Sequence, residues 1–299
     1  MEVLRDTEKI AAFLEDKWPE SWWREPILLL FGYLDVERPL DLAPVLTRLA
    51  GLDEESLPKV AALPLKTQLA AAELCAAAYR ECQNQNPDLQ ERLKARLEPF
   101  FRTEVQEKTF FPPVLLASAA DALDAFGYVH PNLYRFIPIA NRQSPFYIAQ
   151  FPVTNAQYAR FLEAPDFADP DLWRGFPKFD EHGRPMDDDW GDAGLKWLSD
   201  PEDWFGNKRD KTKDGIIYPK YWHEPRLGIA RPSAPVVGIS WYEANAYCRW
   251  LTRHWDELEE SRANPGLKPG IIRLPTEAEW LAAAGEALTP NPSPGGLIL

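Results

Sequence analysis

The side chains able to do chemistry are few, and their spacing suits little of it. The 299 residues contain three cysteines, Cys75, Cys82 and Cys248. If Cys75 and Cys82 share one helix, a rise of ~1.5 Å per residue separates them by about 10 Å. That is beyond the ~7 Å limit for a bridge, so the cysteines predict no disulfide framework. The histidines His130, His182, His223 and His254 show no HxxxH or HExxH spacing, and no metal-ligand set is expected from them. The acidic run Asp187-Asp188-Asp189-Trp190-Gly191-Asp192 lacks the spaced ligands and distal glutamate of a calcium loop. Ser240 lies in Gly238-Ile-Ser240-Trp-Tyr, which is not a GxSxG nucleophile elbow. No GxxxxGK[ST] loop exists, so ATP binding of the P-loop kind is excluded. The residue types predict no catalytic, cofactor-binding or metal site.

The elements around these residues fall into two textures. Residues 1–126 read as helices, with Leu89, Leu93, Leu97 and Phe101 recurring at helical spacing and Pro39, Pro64, Pro87 and Pro112-Pro113 marking boundaries. Short helices joined by proline-containing turns suit an α-solenoid or a bundle. Within this half, residues 22–34, Trp-Trp-Arg-Glu-Pro-Ile-Leu-Leu-Leu-Phe-Gly-Tyr-Leu, resemble a segment of the helices that follow the ATPase core in NACHT-type signalling proteins; a buried helix with tryptophans at its rim explains it equally. From residue 132 on, aromatic and β-branched runs at 134–139 and 146–151 read as short strands. A helix is expected near 155–163, another from Trp241 to about Asp256, a strand over 270–274 and a helix from Glu277. Residues 164–235 have little periodicity, and a loop of that length in a compact domain is often functional. Trp173, Trp190, Trp197, Trp204 and Trp222 are placed to anchor it by burying ring area.

Three helix starts carry one device. Thr154-Asn-Ala-Gln157, Ser240-Trp-Tyr-Glu243 and Thr276-Glu-Ala-Glu279 each match the [ST]-x-x-[EQ] capping box. They lie within Phe151-Pro-Val-Thr-Asn-Ala-Gln-Tyr-Ala-Arg-Phe-Leu162, Pro235-Val-Val-Gly-Ile-Ser-Trp-Tyr-Glu-Ala-Asn-Ala-Tyr-Cys-Arg-Trp-Leu251 and Ile272-Arg-Leu-Pro-Thr-Glu-Ala-Glu-Trp280. Together and in this order, these blocks resemble the formylglycine-generating-enzyme (sulfatase-modifying-factor) family over about residues 134–286. The resemblance implies the N-terminal half of that family's domain on a C-type-lectin-like scaffold. The expected fold class is therefore α+β: a helical module at 1–126, an incomplete domain of this kind at 132–288, and a Pro/Gly-rich tail at 289–299.

Members that make formylglycine resemble copper oxidases using a pair of cysteines late in the domain, a soft donor set that suits Cu(I). This domain offers only Cys248, read as a buried structural residue. The family's later Trp-Glu-Trp, Gly-Gly-Ser and Gly-Phe-Arg segments are not seen after Gly285. The expectation is a non-catalytic binding or sensor module, part of a larger bacterial signalling or regulatory protein. The alternatives are an inactive truncated remnant of a formylglycine-generating oxidase, or a fragment with no function of its own. The ligand or protein partner is unspecified. A net charge of −13 argues against nucleic acid and anionic lipid. The one basic run, Asn207-Lys208-Arg209-Asp210-Lys211-Thr212-Lys213, reads as a solvated loop. No apolar stretch of about 18 residues predicts a membrane span. No signal-peptide layout opens the chain, and the cytoplasm is the expected compartment.

Overall fold

A computed structural model describes residues 6–284, apart from 84, 103–104, 106–108, 131, 140–145, 181–182, 204, 259–260, 262–263, 265–266 and 268–269. The chain divides into two compact units, Met1–Tyr128 and Val129–Leu299. His182, Trp204 and the Pro/Gly-rich tail lie outside the described residues.

The first unit is helical: α1 Thr7–Lys17, α2 Arg24–Glu37, α3 Pro39–Ala50, α4 Leu57–Ala61, α5 Leu65–Glu81, α6 Pro87–Leu97 and α7 Pro113–Ala125. Helices α3 and α6 each bury one stripe. In α3 it is Leu42, Val45, Leu46 and Leu49; in α6 it is Leu89, Leu93 and Leu97. These are the i, i+3, i+4 and i+7 positions of one helix face. The central helix is α5, which packs on α2, α3, α6 and α7. Its small residues Ala71, Ala72, Ala76 and Ala78 are all buried. They let neighbouring helices approach from several sides. Glu73 is buried on α5 and takes a 2.5 Å ion pair from Arg24 together with the hydroxyl of Ser118. Cys75 and Cys82 are free and buried, and burial raises both thiol pKa values. Residues 22–34 span a short 3-10 turn and α2, which turns Ile27, Phe31 and Leu34 inward and leaves Trp22 exposed.

The second unit holds β1 Phe136–Ile139, β2 Phe146–Ala149, α8 Asn155–Leu162, α9 Pro170–Trp173, β3 Pro177–Phe179, β4 Pro185–Asp189, α10 Ala193–Ser199, α11 Trp241–His254 and α12 Glu277–Ala283. Strands β1 and β2 pair antiparallel with Phe136 opposite Ala149 and Ile139 opposite Phe146; β3 and β4 form a second antiparallel pair. The unit is α+β, but the C-type-lectin-like expectation is corrected. Among the described residues there are two separate two-stranded sheets and no curled sheet. The expected strand at 270–274 is not one. The amide of Ile272 donates to the Thr252 hydroxyl at 2.9 Å, a side-chain partner on α11 in place of a neighbouring strand.

The core of this unit is aromatic. Phe161 is fully buried, with the rings of Tyr158, Phe167, Trp173, Tyr247 and Trp250 within 4.9–6.2 Å of its centroid. Offset and edge-on contacts of this kind add to the area the rings bury. The same rings organise the long segment after α8. Trp173 is buried and stacks on Trp197, and Trp222 is buried against Tyr158 and Tyr218. Two short helices and the β3–β4 pair form within a stretch whose sequence shows little periodicity. Trp190 does not join this core and remains 49% exposed.

Side chains of α11 fasten the other side of that segment. Arg249 donates to the carbonyls of Asp171, Arg174 and Gly175. Arg253 pairs with Asp166 at 3.0 Å and Asp169 at 2.6 Å. His254 reaches Asp166 through Nε2 at 3.0 Å and Glu257 through Nδ1 at 2.7 Å.

Two expectations follow from this packing. Gly51 ends α3 in the left-handed region at φ +68°, and a Cβ there would stand 2.8 Å from Val60 Cβ. Gly51→Ala should lower the unfolding free energy by about 2 kcal/mol or more. Trimming the neighbour as well, in Gly51→Ala/Val60→Ala, should not restore stability, because the backbone strain stays and alanine keeps the Cβ that makes the closest contact; urea denaturation measures both. The second concerns His254. Burial by itself lowers its pKa, but the Glu257 and Asp166 carboxylates outweigh burial and hold it above 6.5. The folded pKa exceeds the unfolded one, so the imidazolium's contribution is complete below about pH 6.5. It is lost as pH rises through the folded value. The wild type should exceed His254→Gln in stability near pH 6 by at most about 1 kcal/mol. The difference should vanish by pH 9, as read from urea midpoints at the two pH values.

Candidate functional site

All three capping boxes form with both reciprocal bonds. Two of them do more than start a helix. Glu243, the third residue of α11, accepts from the Ser240 amide at 2.6 Å. It also receives Arg209 at 2.6 Å and 3.0 Å, and its side chain is fully buried. Arg209 donates to the Tyr218 carbonyl as well and lies over the Trp197 ring. Burial raises the Glu243 pKa, and the Arg209 guanidinium pulls against that rise. Glu279 repeats the arrangement on α12. It closes the box at Thr276 and takes both terminal nitrogens of Arg273, at 2.6 and 2.7 Å. Burial would raise its pKa, but the hydrogen bonds of Arg273 and Thr276 bring it below the ordinary value. Arg273 also reaches the Gly183 carbonyl at 3.2 Å, tying α12 to the turn before β4.

The basic run is mostly exposed, as a solvated loop is, but Lys208 and Arg209 are paired within the fold. Lys208 pairs with Asp200 and Glu202, Arg209 with Glu243, and Lys211 donates to the Ser199 carbonyl. Lys220 is drawn to Asp203 at 2.8 Å.

The residues able to do chemistry are scattered. His130 accepts from the Asn132 amide and packs its ring on Phe151, and His223 packs on Tyr218. Asp188 pairs with Lys178, and Asp189 accepts from the Gly191 amide. The Ser240 hydroxyl accepts from the Glu243 amide at 3.3 Å as a helix cap, not as a nucleophile. Among the described residues, no group of three histidine, cysteine, aspartate or glutamate side chains converges as a metal site.

Among the described residues, a large concavity of this unit lies between the β1–β2 hairpin and α12. Its volume is about 1120 Å³. Tyr247, Cys248 and Leu251 of α11 contribute to its lining, with residues 271–275 and the Arg273–Glu279 pair. Cys248 is buried, and burial pushes its thiol up to about 12, against the nearby Arg273. A thiol held protonated at neutral pH is a poor nucleophile. The groove's remaining described lining is mostly aliphatic and aromatic, so it can bury apolar surface but offers no acid–base or nucleophilic pair among the described residues.

Sequence reasoning did not find Arg209, Asn155 or Asn264 as organisers. Asn155 is buried and its amide donates to the carbonyls of Leu227, Gly228 and Arg231. Asn264 accepts from the Phe136 amide and donates to the Tyr134 carbonyl, holding the start of β1. Asn155 occupies the first position of a capped helix, and that alone was a signal; Arg209 and Asn264 gave none.

Removing one partner of a buried ion pair strands the other charge. Arg209→Met should therefore cost about 3–5 kcal/mol. The double variant Arg209→Met/Glu243→Gln should recover part of that loss; chemical denaturation of both gives the comparison.

A family model described as the sulfatase-modifying factor enzyme 1-like domain matches residues 138–291. The formylglycine-generating enzyme of Streptomyces coelicolor is 29% identical over 186 residues, covering 56% of this chain and 48% of that protein. The formylglycine-generating enzyme of Thermomonospora curvata is 29% identical over 160 residues, covering 52% of this chain and 42% of that protein. The chain thus spans less than half the length of these curated relatives. No solved structure matches it significantly. The family match corrects the expectation of only an N-terminal half-domain behind NACHT-type helices. The family domain is present at residues 138–291, in the C-terminal part of the chain, and no NACHT-type segment is indicated. The apolar character of residues 22–34 is accounted for by the inward face of α2. With three capping-box blocks inside the matched span and the match covering half the chain, the protein belongs to the sulfatase-modifying factor enzyme 1-like family.

Proposed function

We infer that this chain is a scaffold portion of a formylglycine-generating-enzyme-type domain and does not oxidise cysteine by itself. The similarity to two formylglycine-generating enzymes over about half the chain supports such a portion. It supports it better than the sensor or regulatory module expected from the sequence. Cys248 carries the reading. It is the only cysteine in the second unit, it is buried, and burial pushes its thiol up to about 12. The copper chemistry implied by the family resemblance needs a pair of thiolates to hold Cu(I). These residues do not fit that metal: one protonated thiol on the wall of an apolar groove is not a thiolate pair. What the unit does provide is order, through capped helices, buried ion pairs and a continuous ring core.

Incubation of the purified chain with copper, oxygen and a Cys-x-Pro-x-Arg peptide should leave the peptide cysteine unchanged by mass spectrometry. Conversion of that cysteine to an aldehyde would overturn the reading. Cys248→Ser should leave the null result as it is and should cost no more than about 1–2 kcal/mol of stability.

A further inference from the structure

Helix α2 is apolar on both of its faces. Ile27, Phe31 and Leu34 turn inward and are buried, yet the opposite face carries Pro26, Leu29, Tyr33 and Val36, all exposed. A helix that is hydrophobic all round is normally covered on every side. The outward residues are spaced alternately three and four apart, the narrow seam along which one helix packs on another at a small crossing angle. Leu29, Tyr33 and Val36 are 75%, 46% and 65% exposed; Trp22 before the helix is 66% exposed and Leu40 beyond it 90%. Trp22 is fixed in place by its indole nitrogen, which donates to Glu20 at 2.6 Å. Gly32 stands at the middle of this face. It is exposed, its φ is not positive, and a Cβ added there would meet nothing within 4 Å. Glycine inside a helix is disfavoured relative to alanine, and neither conformation nor space within the described chain calls for it here. What it provides is a gap in the side-chain layer where a second backbone can come close.

We propose that this face is a dimerisation surface, on which α2 packs antiparallel against α2 of a second copy of this chain. The face is complementary to itself, as a two-fold interface requires. An axis across the middle of α2 lays Leu29 against Tyr33 of the other copy and Pro26 against Val36. It also sets the two Gly32 residues side by side on one flank, which lets the helix axes approach. The end of α2 next to Trp22 then lies beside the end that precedes Leu40, and the two helix dipoles oppose one another. The acidic character of the chain does not stand in the way. Glu25 and Glu37 flank the seam on opposite sides, so the axis brings neither carboxylate against the other or against its own copy. The area is also of the right order. At ~150–250 Å² for an aromatic side chain and less for leucine or valine, the exposed parts of Trp22, Leu29, Tyr33, Val36 and Leu40 come to roughly 500–600 Å² per copy. A stable interface buries about 800 Å² per partner, and the flanking Glu25, Leu30 and Glu37 supply more.

Sedimentation velocity of the full chain over a range of concentrations should show a reversible monomer–dimer equilibrium. Leu29→Asp, at an exposed seam position, should weaken the dimer at least about ten-fold. Val114→Asp, 82% exposed at the start of α7 and off the seam, should associate as the parent does. Gly32→Ala gives a readout that a purely local role would not: in the monomer it should raise the urea midpoint, while the dimer weakens. Orientation is read by disulfide trapping, because the native cysteines are all buried. A mixture of the Pro26→Cys and Val36→Cys chains should form a disulfide-linked dimer under mild oxidation, and neither chain alone should do so. Trapping needs no loss of association, so it keeps the test valid if a seam variant misfolds. Three results would overturn the proposal. The first is a monomer at every concentration up to about 100 µM, which would assign the face to another part of the chain or to a different partner. The second is a dimer indifferent to both Leu29→Asp and Gly32→Ala. The third is trapping of Pro26→Cys with itself in place of the mixed pair.

Discussion

A carboxylate with no exposure to water cannot stay where it is without partners, and Glu243 is such a group. It sits at the third position of α11, where its side chain must turn back to close the helix start. Having turned back, it faces the segment that carries Arg209, 34 residues earlier. The pairing fixes the entry of α11, the position of residues 209–218 through the Tyr218 carbonyl, and the Trp197 ring beneath the guanidinium. The rest of the unit is arranged around that point. Tyr247 and Trp250, one and two turns further along α11, present their rings to Phe161, and Arg249 and Arg253 reach out to the α8–α9 segment. Were the start of α11 to shift, the aromatic core and the loop anchors would shift with it.

Glu279 shows that the device is reused. A capping glutamate that also binds arginine converts a local helix signal into a tertiary tie, first to the 209–218 segment and then, through Arg273, to Gly183. Gly183 has φ +76° and lies so close to Glu279 and Arg273 that a Cβ would overlap both. The glycine is favoured there by its backbone conformation, and a Cβ would push the tips of Glu279 and Arg273 out of their pairing. The polar groups of this unit are therefore largely occupied in holding the scaffold. That explains how a chain rich in aspartate, glutamate and arginine brings, among the described residues, no acid–base pair to the groove beside the hairpin.

Scaffold and groove belong to one account. The ring core of Tyr158, Phe161 and Trp173 is closed, whereas the face between the hairpin and α12 is open. The isolated position of Cys248, its thiol held protonated on the groove wall, is consistent with packing as its role.

The amino-acid sequence by itself determined the three capped helices and their starts. Thr154, Ser240 and Thr276 with their third-position partners interact across three residues of one chain segment, and such contacts need no knowledge of the wider fold. The stripe of Leu89, Leu93 and Leu97 was legible for the same reason. The short strands at 136–139 and 146–149 were visible as β-branched and aromatic runs, but the run at 270–274 looked equally strand-like and is not a strand. Strand identity depends on a neighbour, and Ile272 found the Thr252 hydroxyl instead. Tertiary structure alone decided that Arg209 leaves a basic run to become the buried partner of Glu243, that Trp173 goes inside while Trp190 stays out, and that Asn264 holds the start of β1. It also decided that the hairpin and α12 leave a groove between them. Those outcomes depend on which distant segments meet in space, so residue type and spacing along the chain do not contain them.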